Sequence, residues 1–213
     1  MTTKSMEARF EASVDVRDLT AARRDRVRFL HVPVRRFLAV DGTEVPGGEA
    51  FQGAIATLYP VAYALHFGLK RRSVAAPVGM LESLFWLTTT ELLDGVPTDG
   101  SHVPEHGWRW RLILPVADEA TEVDVEDAIA SAVRRTPLPA LELLHVITWE
   151  EGDCAQILHV GPYDAEAPTI RRLHDAIAAA GLRPGEPHHE IYLNDPFRVG
   201  PEKTKTVIRH PVS

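Results

Sequence analysis

The chain has 213 residues, 45% of them apolar and 25% charged, with a formal net charge of −7. That length buries enough surface to fold without disulfides or a structural metal, and the acidic balance lacks the basic footprint of a nucleic-acid or anionic-membrane partner. Cys154 is the single cysteine, which excludes an intramolecular disulfide and suits a reducing cytoplasm, the expected location. No signal-peptide pattern opens the chain, and no apolar run approaches the ~18 residues of a membrane span, so a soluble protein is expected.

Residues 1–26 carry mixed charge without periodicity and read as an N-terminal arm, followed by one domain over 27–213. In "VRFLHVPVRRFLAVD", β-branched and aromatic residues predict two short strands or one strand interrupted at Pro33, because proline cannot donate to a central ladder. Phe51, Ile55, Leu58, Ala62, Leu65 and Leu69 then recur at helical spacing, one apolar stripe on a long helix. Strand propensity follows over "GMLESLFWLTTT", a polar connection over "LDGVPTDGSHVPEHG", and clean alternation over "GWRWRLILPV". A Thr121-x-x-Asp124 capping pattern opens a helix over 121–135. Two strands turn about Glu151-Gly152-Asp153, and Pro168 begins a helix whose stripe is Ile170, Leu173 and Ile177, with Gly181 after it. "HHEIYLND" and "TKTVIRHPV" predict the last two strands. The order of elements repeats, so we read two pseudo-repeats, about 27–117 and 138–213, joined by the 121–135 helix. Two such α+β halves side by side would form two antiparallel sheets around a central cleft, a common place for a ligand.

Glu190 is the first candidate for chemistry. Strand alternation sends His188, Glu190, Tyr192 and Asn194 to one side and His189, Ile191 and Leu193 to the other; the apolar side is expected to face the helices, leaving Glu190 toward the cleft. Burial statistics for a lone glutamate favour a solvated sheet face, and the expected cleft raises the functional reading to even. Glu82, mid-strand in "LESLFW", carries the same ambiguity. His188 and His189 point to opposite faces and cannot chelate one ion together, and no H-E-x-x-H spacing occurs, so no metal site is expected. Nucleophile elbows and phosphate-binding glycine loops are absent, and Cys154 lies in an apolar strand, the setting of an inert cysteine. Most of the tryptophans and tyrosines are expected in the core, yet several around one carboxylate would suit a flat apolar or cationic ligand.

The strings "FLAVDG", "FQGAIATLYPVAYALHFGLK", "LESLFW", "AQILHVGPYD", "HHEIYLNDP" and "PEKTKTVIRHPV" together resemble the GyrI-like small-molecule-binding family, from about Val27 to the C-terminus. The resemblance implies a tandem strand–helix–strand–strand fold around a ligand cleft, with Glu190 as the pocket acid. The family's "PLEGLWW" strand corresponds to Met80–Trp86, keeping Glu82 and Trp86 but replacing proline, glycine and one tryptophan. With no helix-turn-helix before Val27, the chain resembles the stand-alone members, some of which hydrolyse the cyclopropane ring of planar DNA-alkylating natural products. What the resemblance implies is a detoxifying hydrolase without cofactor: Glu190 as general base, Tyr63 as hydroxyl donor to the developing oxyanion, and an aromatic ligand held by Glu82, Trp86, Trp110, Tyr163 and Tyr192. Non-catalytic sequestration of hydrophobic or cationic drugs, and a topoisomerase-inhibitor-like partner protein, are the competing expectations.

Overall fold

The computed structural model describes residues 10–11, 14–15, 18–87, 107–196 and 198–213. Strand propensity up to Thr90, the polar connection that follows it and much of the N-terminal arm lie outside those residues. The chain forms β1 (Arg28–Val32), β2 (Arg35–Gly42), α1 (Glu49–Arg71), β3 (Glu82–Phe85), β4 (Trp110–Val116) and α2 (Glu122–Val133). It continues through β5 (Leu144–Trp149), β6 (Gly152–Val160), α3 (Ala167–Ala179), β7 (His188–Tyr192) and β8 (Lys205–Pro211). The ββαββ order of the first half thus recurs in the second, with α2 between them.

Local chemistry accounts for these elements. Pro33 separates β1 from β2, resolving the two readings in favour of two strands. On α1 the stripe residues Phe51, Leu58, Ala62, Leu65 and Leu69 are all buried, and Pro60 lies inside the helix without ending it. Thr121 and Asp124 close a reciprocal capping box at the start of α2, satisfying donors that a helix N-terminus leaves free. Ile170, Leu173 and Ile177 of α3 are buried as their spacing requires.

The expectation of two sheets is corrected. Among the described residues, all eight strands belong to one antiparallel sheet ordered β1-β6-β8-β7-β3-β4-β2-β5. The halves join because β3 pairs with β7, Ser83 opposite Glu190 and Leu84 opposite His189. Each half also lends its first strand to the other: β1 pairs with β6, and β5 with β2. Both long helices cover the same face. α1 packs over β2 and β4, α3 over β6, and their apolar stripes meet Leu38, Val40, Leu112, Leu114, Ile157 and Ile208 in the main core. The seam strands β3 and β7 run between these two halves. On the reverse face, a smaller cluster gathers Phe37, Ala39, Leu84 and Ile113, with Trp86, Ile147 and Trp149 against it. Among the described residues, no helix is long and apolar enough to cross a membrane.

Candidate functional site

Glu190 lies at the seam, and the face it occupies differs from the expected one. Its cross-strand neighbour Ile208 belongs to the helix-covered core, so His188, Glu190 and Tyr192 point to the side of α1 and α3. The alternation groups these side chains correctly; the side it gives to the helices is reversed. The cause is that the His189 side is buried as well, so burial alone cannot mark the helical face.

Around Glu190 the fold builds a buried polar cluster. Tyr192 donates its hydroxyl proton to Glu190 Oε2 at 2.9 Å, and its oxygen accepts from Ser83 at 2.6 Å on the paired strand. His188 Nε2 stands 3.1 Å from Glu190 Oε1. Glu166, in the turn that enters α3, completes the cluster: one donor atom each from Glu166, His188 and Glu190 lies within 4.8 Å of the others, and all three residues are buried. Burial, reinforced by the Glu190 charge, holds the Glu166 carboxyl well above the usual carboxylate range.

A chain of imidazoles extends from this cluster. His210 Nδ1 lies 3.0 Å from the Gly185 carbonyl, which can only accept, so that nitrogen carries hydrogen. Burial and the neighbouring His188 push the His210 pKa down to about 3, leaving it neutral with a bare Nε2. That lone pair accepts from His188 Nδ1 at 3.0 Å. Tyr163 borders the cluster, edge-on to Tyr192 with ring centres 5.8 Å apart. Burial, with Glu190 next in effect, raises the phenol pKa of both tyrosines, so each remains a hydroxyl donor. A cavity of about 370 Å³ is bounded by Arg24, His159, Thr169, Arg172 and Glu202, with none of the cluster residues in its lining.

The remaining candidates separate. Tyr63 is half exposed on α1, stacked on Tyr59 at 6.3 Å between ring centres. Trp110 is 1% exposed and belongs to the core, edge-on to Phe51, with its indole N–H donated to the Glu44 carbonyl. Glu82 and Trp86 point to the reverse face. Trp86 there lies under the guanidinium of Arg109 at 4.6 Å. Glu82 ends a buried ionic network: His189 bonds Glu82 through Nε2 at 3.0 Å and Glu151 through Nδ1 at 2.9 Å, and Arg209 donates to Glu151 at 2.9 Å. Both departures have one reason. Period-2 alternation puts residues 82, 84 and 86 opposite in sense to 83 and 85, and the register pairs Ser83, not Glu82, with Glu190.

Sequence reasoning missed Glu166, His210 and the pairing of His188 with Glu190. The last was available, because residues two apart on a strand share a face. Glu166 lies in an irregular turn with no periodicity to mark it, and His210 meets His188 only through the β7–β8 register.

Comparison with known proteins places this geometry. A conserved, uncharacterized Listeria innocua protein of solved structure is 32% identical, with a TM-score of 0.79 over 93% of this chain and 97% of its own. The pattern described as the GyrI-like small molecule binding domain matches residues 115–213, which include Glu166, His188 and Glu190. The chain belongs to the GyrI-like family. Two further relatives are structures of Listeria innocua proteins named as hydrolases. One is 31% identical with a TM-score of 0.76, covering 91% of this chain and 94% of its own. The other is 30% identical with a TM-score of 0.77, covering 93% and 96%. No curated protein matches the chain.

Proposed function

We propose that this GyrI-like protein hydrolyses a planar small molecule bearing an activated cyclopropane, with Glu190 as general base. The observation that carries the reading is a pair of buried carboxyls: Glu190 is oriented by Tyr192, and the adjacent Glu166 is held by burial well above the usual carboxylate range. Such a pair suits water activation followed by protonation. The two relatives named as hydrolases support hydrolysis as the reaction class.

In the proposed step, Glu190 takes a proton as the water oxygen bonds to the strained methylene carbon. The ring carbon–carbon bond breaks, and its electron pair passes into a conjugated carbonyl, which becomes a phenolate and, on receiving through solvent the proton that Glu190 took, a phenol. Tyr63 is the proposed hydroxyl donor to that oxyanion, and Tyr163 and Tyr192 supply aromatic surface. Glu82, Trp86 and Trp110 have no part in this version, given their places on the reverse face and in the core.

The test is incubation with excess cyclopropane-bearing DNA alkylator, following product mass and ultraviolet absorbance. Many turnovers with gain of one water, reduced by about 10²–10⁴ in Glu190→Gln, are expected. Saturable binding at one equivalent without mass change would instead make the protein a drug-sequestering module. Tyr63→Phe is expected to lower turnover with little change in affinity; unchanged turnover would remove Tyr63 from the reaction.

A further inference from the structure

The contact between His188 and Glu190 poses a chemical question. The Gly185 carbonyl places hydrogen on His210 Nδ1; with His210 Nε2 bare, His188 donates to it through Nδ1, and the neutral His188 ring then turns its Nε2 lone pair to Glu190. That lone pair faces Glu190 Oε1 at 3.1 Å, and a carboxylate oxygen also offers only lone pairs. Two acceptors held this close in a buried site require a positive centre shared between them. A proton satisfies two groups. The third, Glu166 Oε1, is buried and makes no hydrogen bond in the protein, although its residue is only 4% exposed.

A metal ion satisfies all three. Bonds of about 2.0–2.2 Å to nitrogen and oxygen donors, at tetrahedral or octahedral angles, separate neighbouring donors by about 3.0–3.4 Å. The His188–Glu190 distance of 3.1 Å is already such an edge. Glu166 lies within 4.8 Å of both and needs only a small side-chain adjustment. The outer contacts are also those of a metal ligand: His188 gives its second ring N–H to His210, and Glu190 receives the Tyr192 hydroxyl on its other oxygen, which leaves Oε1 for the ion.

We propose that Glu166, His188 and Glu190 hold one first-row divalent cation of the zinc or cobalt type. One imidazole and two carboxylates favour such an ion over calcium or magnesium, whose sites are built from oxygen. The site rests on this geometry; an ion bound there displaces the Glu166 proton and occupies Glu190, so the metal-loaded chain and the hydrolysis proposed above exclude one another.

The experiment uses the full chain, stripped with chelator and titrated without substrate. Cobalt(II) is followed by its visible absorption and zinc(II) by calorimetry. One ion per chain is expected, with affinity at least about tenfold weaker in Glu166→Gln and His188→Gln, and about 10–100-fold weaker in His210→Gln through loss of the outer contact. Failure of the stripped protein to take up either ion overturns the proposal. So does uptake unchanged by these substitutions, which assigns it to surface histidines such as His31 and His145. Should His188→Gln fail to fold, Glu166→Gln carries the test, because the amide keeps the shape of the carboxyl but cannot release a proton to bind the ion as an anion. Absence of metal leaves the hydrolytic role of Glu190 standing, and absence of turnover leaves the metal site standing.

Discussion

At the scale of single residues, the position of a side chain in the sheet decides its work more than its type. Glu190 and Glu82 are both mid-strand glutamates of the seam. One enters a cluster with the buried Glu166 carboxyl and the Tyr192 hydroxyl, while the other is locked between His189 and Arg35. Trp110 shows the same rule for aromatics, since the side of β4 that carries it lies under α1. Trp110→Ala is therefore expected to cost about 3–5 kcal/mol of stability, as for a fully buried aromatic. Urea unfolding checks the loss, and a stability equal to the parent would contradict the core assignment. Trp108, Trp110, Leu112 and Leu114 could be grouped on one face from alternation alone, and all four are buried there. Whether that face met ligand or helix was not legible, because an aromatic stripe satisfies either.

At the scale of elements, short-range chemistry specifies each piece and close approach ties pieces together. The capping box at Thr121 and the stripe of α1 follow from sequence spacing. The end of β2 does not. Gly42 is opposite Trp110, and a Cβ built on it would lie 2.1 Å from the indole ring. Gly42→Ala is thus expected to displace the indole and lose its bond to Glu44, destabilising the protein by about 1–3 kcal/mol. A thermal melt of this variant, compared with an alanine substitution at Gly68 of α1, where a Cβ would meet only the Arg71 side chain at 3.8 Å, reads the effect. Equal melting temperatures for Gly42→Ala and the parent would show that the ring moves freely. From sequence, Gly42 is a glycine at the start of a loop; its packing role exists only once β4 pairs with β2.

At the scale of the molecule, the reverse-face network fastens both halves, since it links Glu82 of β3, His189 of β7 and Arg209 of β8 to Glu151. Burial alone would raise the Glu151 pKa, but His189 and Arg209 more than offset it and lower the value from 4.5 to about 2. Burial likewise opposes the charge on His189, and Glu151 followed by Glu82 outweighs it, raising the pKa above 6.5. The signs define a window. The Glu151 contribution is present above 4.5 and lost as pH falls toward 2; the His189 contribution is present below 6.5 and lost as pH rises through its raised value. Stability from this network is thus greatest between those limits. Glu151→Gln leaves Arg209 buried without its anion and is expected to cost about 3–5 kcal/mol. It should also flatten the acid limb of a plot of unfolding free energy against pH. A variant whose acid limb matched the parent would exclude Glu151 as its source.

The sequence by itself determined the α+β class, the repeated ββαββ order, the helix stripes and the grouping of His188, Glu190 and Tyr192, because 3.6- and 2-residue periods and capping chemistry act over a few residues. Tertiary structure decided the rest. One sheet forms instead of two because β3 finds β7 across more than a hundred residues, and that register sets Ser83 rather than Glu82 beside Glu190. Glu166 and His210 reach the cluster through a turn and a strand whose positions relative to β7 no local period encodes. Pairing across the seam is cooperative and long-range, so the site exists only in the folded chain.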